Sequence, residues 1–422
     1  MPYYSTVVLT IIIALTYNLF YLVPLISSQG GSYLPDIGLV FLCVVLIFAL
    51  VRSGKRFPIL IDKMSLMVLF YLFLVGIEIV LATLYHGQSL ADGVVAARRQ
   101  YFYLAFFLFM LLLDDRKKFH QLLNTMTIIV LFVFVMTIVN YIGIKVFYHP
   151  RADNWGVIRS GVERAFIPGF RLVSMVFLWQ FARWLAMKHS DRLISGTLVI
   201  VFLGEHIFRQ SRVALISVLI ASIVMLVATR RYGLLIKSGI FMLFAILVTG
   251  VFMEKNIITE PFTTSFEEVS HSKIKAEGSW NDRLKQIMFA WNEFQEHPLL
   301  GSGSVALRVG TFEGNGSSGS EIFMLAYKSD LGYTNIIKSY GVVGIIWLVM
   351  FLWMMVSMAR YAIRVFSKTS EPLLLFAAAY TVYVLISLVT LNHIMFAEDT
   401  LLLLIVVVIL VQNYRNKLLE SH

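Results

Sequence analysis

The chain has 422 residues, of which 59% are apolar and only 14% are charged, and its mean hydropathy is +0.79. That leaves too little polar surface to wrap a core of this size in water, which excludes a soluble globular enzyme and equally a disordered chain. A single cysteine, Cys43, excludes a disulfide framework and a multi-cysteine metal site, and the net charge of +10 reads first as a topology signal, with no nucleic-acid partner implied.

In chain order, apolar runs of membrane thickness predict an all-α, polytopic integral membrane protein with about twelve transmembrane helices. They fall near 5–26, 36–51, 64–85, 99–113, 121–144, 171–187, 193–208, 211–228, 234–252, 331–358, 371–391 and 399–413. The first run has no basic n-region and no small-residue cleavage site, so it reads as a retained helix. The chain divides into spans one to nine (1–252), a large outer loop (253–330), and spans ten to twelve with a tail (331–422). With the N-terminus inside, every inner loop carries at least two Lys or Arg, whereas the outer loops 27–35 and 392–398 carry none. This places both termini in the cytoplasm of a cell with the chain in its plasma membrane.

Outside the large loop, nine cations lie on the outer side, and eight are arginines: Arg98, Arg99, Arg151, Arg159, Arg164, Arg171, Arg209 and Arg212. Lysine is sufficient to set topology. A planar five-donor guanidinium is suited to phosphate oxygens, so the arginine excess is the main functional signal. Within the large loop, Trp280, Leu284, Ile287, Met288 and Trp291 recur at helical spacing, and Ser279 with Asp282 fits a capping box. The pattern predicts an amphipathic helix lying along the membrane interface, with Arg283 in its first turn and His297-Pro298 as its stop.

Three segments carry a family resemblance. FRQSRVALI around Arg209–Arg212, NDRLKQIMFAWNEFQEHPLLGSG at 281–303 and SDLGYTNIIKSYGVVGI at 329–345 are similar, in order and spacing, to segments of the O-antigen polymerase and O-antigen ligase family. The resemblance covers roughly residues 150–360. Ligases of that family usually have a histidine where this chain has Asp330, so the likeness leans toward the polysaccharide polymerases. It implies a multi-pass glycosyltransferase of the bacterial inner membrane, of the C-type membrane architecture, with the large loop in the periplasm. Its donor would be an oligosaccharide linked to undecaprenyl diphosphate, and a chain-length regulator is an implied partner besides membrane lipids.

The residues make independent sense of such chemistry. Breaking a sugar–diphosphate bond builds negative charge on the leaving phosphate, which a metal or fixed cations must neutralise. There is no Asp-x-Asp in the chain, and Asp114-Asp115 lies on the inner side, so the expectation is no metal, no cofactor, and a guanidinium cluster. Arg212 and Arg283 lead that cluster, followed by Arg209, Arg164, Arg159, Arg171, Arg98 and Arg99. A sugar hydroxyl as acceptor needs a nearby base. Asp330 is the first candidate, His297 the second and Glu163 the third. Simpler roles compete: Arg212 could anchor to lipid, Arg209 could pair with Glu205 four residues earlier, and Asp330 could cap a helix. Glu78, Glu205 and His206 fall inside expected spans and are expected to pair with neighbouring arginines. Two other activities stay open, an O-antigen ligase transferring glycan to lipid A-core and a transporter of the lipid-linked sugar. Transport would favour charges near the bilayer midplane and inverted repeats; here the cations cluster at one face, a large outer loop intervenes and no repeat is visible.

Overall fold

The computed structural model describes residues 2–22, 27–28, 31–53, 62–148, 168–187, 189–209, 212–233, 279–304, 331–388 and 393–420. The described chain is a helical bundle. Its helices are α1 (Pro2–Thr16), α2 (Leu34–Ser53), α3 (Lys63–His86), α4 (Leu90–Ala97), α5 (Ala105–Leu112), α6 (Arg116–Tyr141), α7 (Phe170–Ala186), α8 (His189–Arg209), α9 (Arg212–Ala228), α10 (Ser279–Glu296), α11 (Gly332–Thr369), α12 (Pro372–Ser387) and α13 (Ala397–Glu420). Short 3₁₀ turns cover Asn18–Tyr21 and Arg98–Leu104, and a two-residue ladder pairs Ser27–Ser28 antiparallel with Gly31–Ser32.

Among the described residues, six helical stretches are long and apolar enough to cross a membrane: Leu34–Arg52, Lys63–His86, Leu90–Leu112, Arg116–Tyr141, Gly332–Thr369 and Ala397–Arg415. The twelve-span expectation is therefore met in part. Eleven of the twelve expected runs coincide with a helix, while 234–252 lies outside the described residues. The expected first span, 5–26, ends early because the chain leaves α1 at Thr16 and Asn18 to Tyr21 all adopt positive φ. The expected fourth span starts earlier than its apolar run, since α4, the 3₁₀ turn and α5 follow one another without interruption from Leu90 to Leu112.

The core forms around α13. Residues Leu401 to Val411 are each 2% exposed or less, so this helix is apolar all round and buried all round. It touches α1, α5, α7, α11, α12 and the Arg98–Leu104 turn. Outward faces carry exposed Val40, Ile47, Phe73, Ile128, Ile200 and Trp353, the pattern of helices facing lipid.

Antiparallel neighbours sort the chain into two ends. At one end, Glu371 caps α12, accepting from Leu373 N at 3.4 Å, with His120 Nε2 3.0 Å from its Oε1 and Arg116 at 4.0 Å. Arg415 lies 3.6 Å from Asp62, and Asp114 lies 2.5 Å from Lys118, at the same end. The hydrogen bond from His120 holds the Glu371 carboxyl below its usual range, against the opposing effect of burial.

The other end is built on backbone docking. Helix α11 breaks at Gly341 (φ 57°, ψ −147°), which releases the amides that follow. Val342 N then donates to Pro298 O (2.8 Å) and Val343 N to Leu299 O (3.2 Å), while Ser302 N donates to Lys338 O (3.0 Å). The turn after α10 thus fills the break. Gly303 (φ +80°) passes so close to α3 that a Cβ would sit 2.6 Å from Glu78 O and 2.9 Å from Ala82 Cβ.

Two predictions follow from these ends. Gly303→Ala adds left-handed strain and a clash with backbone, so it should cost about 2–4 kcal/mol in detergent melting, whereas Gly76→Ala, with nothing within 4 Å, should be neutral or mildly stabilising. Because the folded Glu371 pKa lies below the unfolded value, its stabilisation is present above about pH 4.3 and is lost as pH falls through the folded pKa. Acid melting profiles of Glu371→Gln should be flatter than wild type in that window.

Candidate functional site

The end opposite Glu371 gathers most of the chemistry-bearing side chains into two groups. The first lies where α3, the Arg98–Leu104 turn, α11 and the turn after α10 meet. Glu78 is 1% exposed, and its Oε2 accepts from Gln100 Nε2 at 3.1 Å and from the Tyr340 hydroxyl. The Tyr71 hydroxyl donates to Gln100 Oε1 at 2.8 Å, and Trp347 Nε1 donates to Met67 O at 2.9 Å. This corrects one expectation: Glu78 is held by an amide and a phenol, because its helix faces the 3₁₀ turn through Gln100 and not through Arg98 or Arg99. Lys338, 6% exposed, lies two residues before Tyr340 in α11, with Nζ 5.9 Å from the Phe289 ring centroid of α10. Ser304 Oγ and Ser339 Oγ lie 3.2 Å apart, and Gln88 Nε2 donates to Ser304 O.

His297 sits at the rim of this group. Its ring stacks on Tyr85 with centroids 3.9 Å apart, and its carbonyl accepts from Gly301 N, which closes the turn. It is half-buried, so its ring is reachable from outside. The helix before it turns Gln286 and Ala290 inward and leaves Leu284, Met288 and Trp291 exposed. The apolar stripe anticipated for α10 therefore faces away from the protein.

The second group surrounds the start of α13. Asp399 is 1% exposed and forms a close ion pair with Arg171, at the first turn of α7. The Arg171 guanidinium also lies 5.2 Å from the Phe396 ring centroid and 5.7 Å from that of Phe170. His393 Nε2 is 2.6 Å from Ser387 Oγ, and its Nδ1 is 3.8 Å from Asp399 Oδ1. Burial, with Arg171 close by, holds this imidazole well below the usual histidine range, so at neutral pH its approach to Asp399 is not an ion pair. One turn further along α7, Ser174 Oγ lies 3.4 Å from His206 Nε2 of α8, which places the α8–α9 hairpin beside this group.

The fates of the expected site residues differ. Arg171 is committed to Asp399, and Arg98 pairs with Asp36 at 2.8 Å across the α2 start. Arg99 is half-buried on the same 3₁₀ turn. Arg209 ends α8 and Arg212 begins α9, both at this end, and Arg283 lies near the start of α10. Asp330, Glu163, Arg159 and Arg164 lie outside the described residues, although Asp330 immediately precedes the buried Leu331 that leads into α11. Among the described residues, no three His, Cys, Asp or Glu converge in the manner of a metal site.

Reading the sequence alone missed Asp399, Lys338 and His393. Asp399 and His393 were readable in principle as polar residues flanking an otherwise basic-free outer loop. Lys338 sits nearly two turns into an apolar helix, where an ionisable group is unusual.

A buried pair is destabilised most when one partner is lost. Arg171→Met should lower stability by about 3–5 kcal/mol in detergent melting, and adding Asp399→Leu should restore most of it. Set against known proteins, the chain matches no family model and no curated protein sequence.

Proposed function

We propose that the chain is a polysaccharide polymerase of the bacterial inner membrane, a glycosyltransferase that joins repeat units carried on a polyprenyl diphosphate. The observation that carries the reading is the gathering of arginines at one end of an apolar helical bundle. Arg98, Arg99 and Arg171 lie there as side chains, and the α8–α9 hairpin brings Arg209 and Arg212 to the same end. The family resemblance of the three sequence segments points in the same direction. This end would face the periplasm, and the basic end around Arg116, Lys118 and Arg415 would face the cytoplasm.

In the reaction, the acceptor sugar hydroxyl attacks the anomeric carbon of the lipid-linked donor. The carbon–oxygen bond to the diphosphate breaks, the bonding pair leaves with the phosphate oxygen, and the hydroxyl proton passes to a base. Guanidinium groups stabilise the leaving diphosphate and stay charged at any working pH. Three charged hydrogen bonds that tighten in the transition state supply roughly 4–9 kcal/mol, on the order of 10³–10⁶ in rate. Positioning supplies the remainder. Asp330 is the first candidate base. His297, half-buried at the rim on its Tyr85 stack, is the second, and Glu163 the third. The outward apolar stripe of α10 would lie at the headgroup layer, where it would hold the loop down over a lipid-linked substrate.

The test is a product assay with purified protein and a synthetic polyprenyl-diphosphate-linked repeat unit. A ladder of longer glycans is expected, unchanged by chelator. Arg212→Lys should cut the rate by about 10- to 150-fold with expression intact, as expected for loss of one charged, bidentate contact. Full activity in that variant, or activity restored only by divalent metal, would count against the arginine mechanism. Substrate crossing proteoliposome membranes without any ladder would support transport instead.

A further inference from the structure

Where α7 ends and α8 begins, at the Glu371 end of the bundle, an aromatic shelf carries a cation. Phe177, Phe181 and Trp184 follow one another along α7, with successive ring centroids 5.9 Å and 5.6 Å apart. Helix α8 lies flush against the last of them, since a Cβ on Gly196 would sit 3.0 Å from Trp184 Nε1. The Arg192 guanidinium stands over that indole, 5.5 Å from its ring centroid. Arg192 closes the first turn of α8, where the helix dipole opposes a cation, so the helix itself gains nothing from it.

A second cation reaches the same place from α9. Arg230 adopts a left-handed conformation (φ 55°) at the helix cap, where glycine is usual. Its N donates to Val227 O and Arg231 N donates to Leu226 O, both at 3.0 Å, which folds two consecutive arginines back over the helix end. Burial, and then the charge of Arg192, hold the Arg231 guanidinium below its usual range, so the two cations repel each other. Among the described residues neither Arg192 nor Arg231 has an ion-pair partner, whereas Arg116, Lys118 and Arg415 at this end each have one. The adjacent Asp191 is exposed, and its charge acts on Arg183.

Two repelling guanidiniums, one of them fixed on a ring, are relieved by an anion that accepts from both, and phosphate oxygens suit the planar fork. The surface beside them selects the kind of anion. Leu193 and Ile200, 78% and 73% exposed, run up α8 from Arg192 seven residues apart, and Tyr232, 53% exposed, follows Arg231. A small soluble anion makes no use of that apolar stripe, but an acyl chain does. Basic sites between helices at the membrane boundary are a recurrent way of holding acidic lipids.

We propose that the junction of the α8 start and the α9 end binds the phosphodiester of an anionic phospholipid from the adjacent leaflet. The phosphate oxygens accept from Arg192 and Arg231, and the acyl chains run along Leu193 and Ile200. The site lies at the opposite end of the bundle from the proposed reaction, and the inference stands whichever reaction that end performs.

The test titrates the purified full chain in maltoside detergent by native mass spectrometry with palmitoyl-oleoyl phosphatidylglycerol and, separately, with palmitoyl-oleoyl phosphatidylethanolamine. Phosphatidylglycerol should be retained at about a tenth of the concentration that phosphatidylethanolamine needs, the worth of one charged hydrogen bond. The Arg192→Gln/Arg231→Gln double variant should lose that preference. Arg360→Gln/Arg364→Gln removes two exposed cations from the same end and should keep it, which separates a built site from general basic charge. Arg192→Lys retains the charge without the planar fork, should weaken phosphatidylglycerol binding several-fold, and carries the test if the double variant fails to fold. Excess inorganic phosphate should leave the lipid in place. Equal retention of the two lipids, an unchanged preference in the double variant, unchanged binding in Arg192→Lys, or an equal loss in the Arg360→Gln/Arg364→Gln control would overturn the proposal. Displacement of the lipid by inorganic phosphate would overturn it too, and would assign the arginine pair to a free anion.

Discussion

A helix in a membrane cannot leave its peptide groups unpaired, because no water is available to take them. The break at Gly341 would violate this rule if it stood alone. It is permitted because the turn after α10 supplies Pro298 O and Leu299 O to the released amides and takes Lys338 O in return. The exchange ties residues about forty positions apart, through backbone atoms that most side-chain substitutions leave in place. It also sets the position of everything above it. Gly301 and Gly303 let the turn press against α11 and α3, and the same turn brings His297 onto Tyr85 and Ser304 onto Ser339. Without the break, α10 would have no fixed seat on the bundle.

Above that seat, polar groups are held by one another and not by solvent. Glu78, Gln100, Tyr71 and Tyr340 form one closed set, and Arg171, Asp399, His393 and Ser387 gather in a second. Such sets are costly to assemble and rigid once complete. For an arginine already paired to a carboxylate, taking up a phosphate is a matter of exchange or sharing. Arg171 shares one buried partner, and Arg98 has a partly exposed one in Asp36, so the two would respond differently to an arriving anion.

Most of the helices were legible because lipid enforces length and apolarity together, and runs such as Lys63–His86 satisfy both. What escaped depended on partners. Nothing local to Asn18–Tyr21 announces four consecutive positive-φ residues, among them Phe20, whose ring lies against Gly169 from a distant segment. Glu78 was correctly singled out as an unusual group inside a span. Its partners were misassigned because rotation about the 3₁₀ turn, which presents Gln100 and not the adjacent arginines, is not encoded in any short pattern.

The burial of α13 on every side has a consequence for assembly. The axis of the bundle follows, in chain order, all the helices that surround it. Until α13 is synthesised, the inward surfaces of those helices lack the helix that buries them. The leucine- and alanine-rich inner wall of α12 suits that interval. The second polar set then forms late, because Arg171 and His393 meet Asp399 only once that residue has entered.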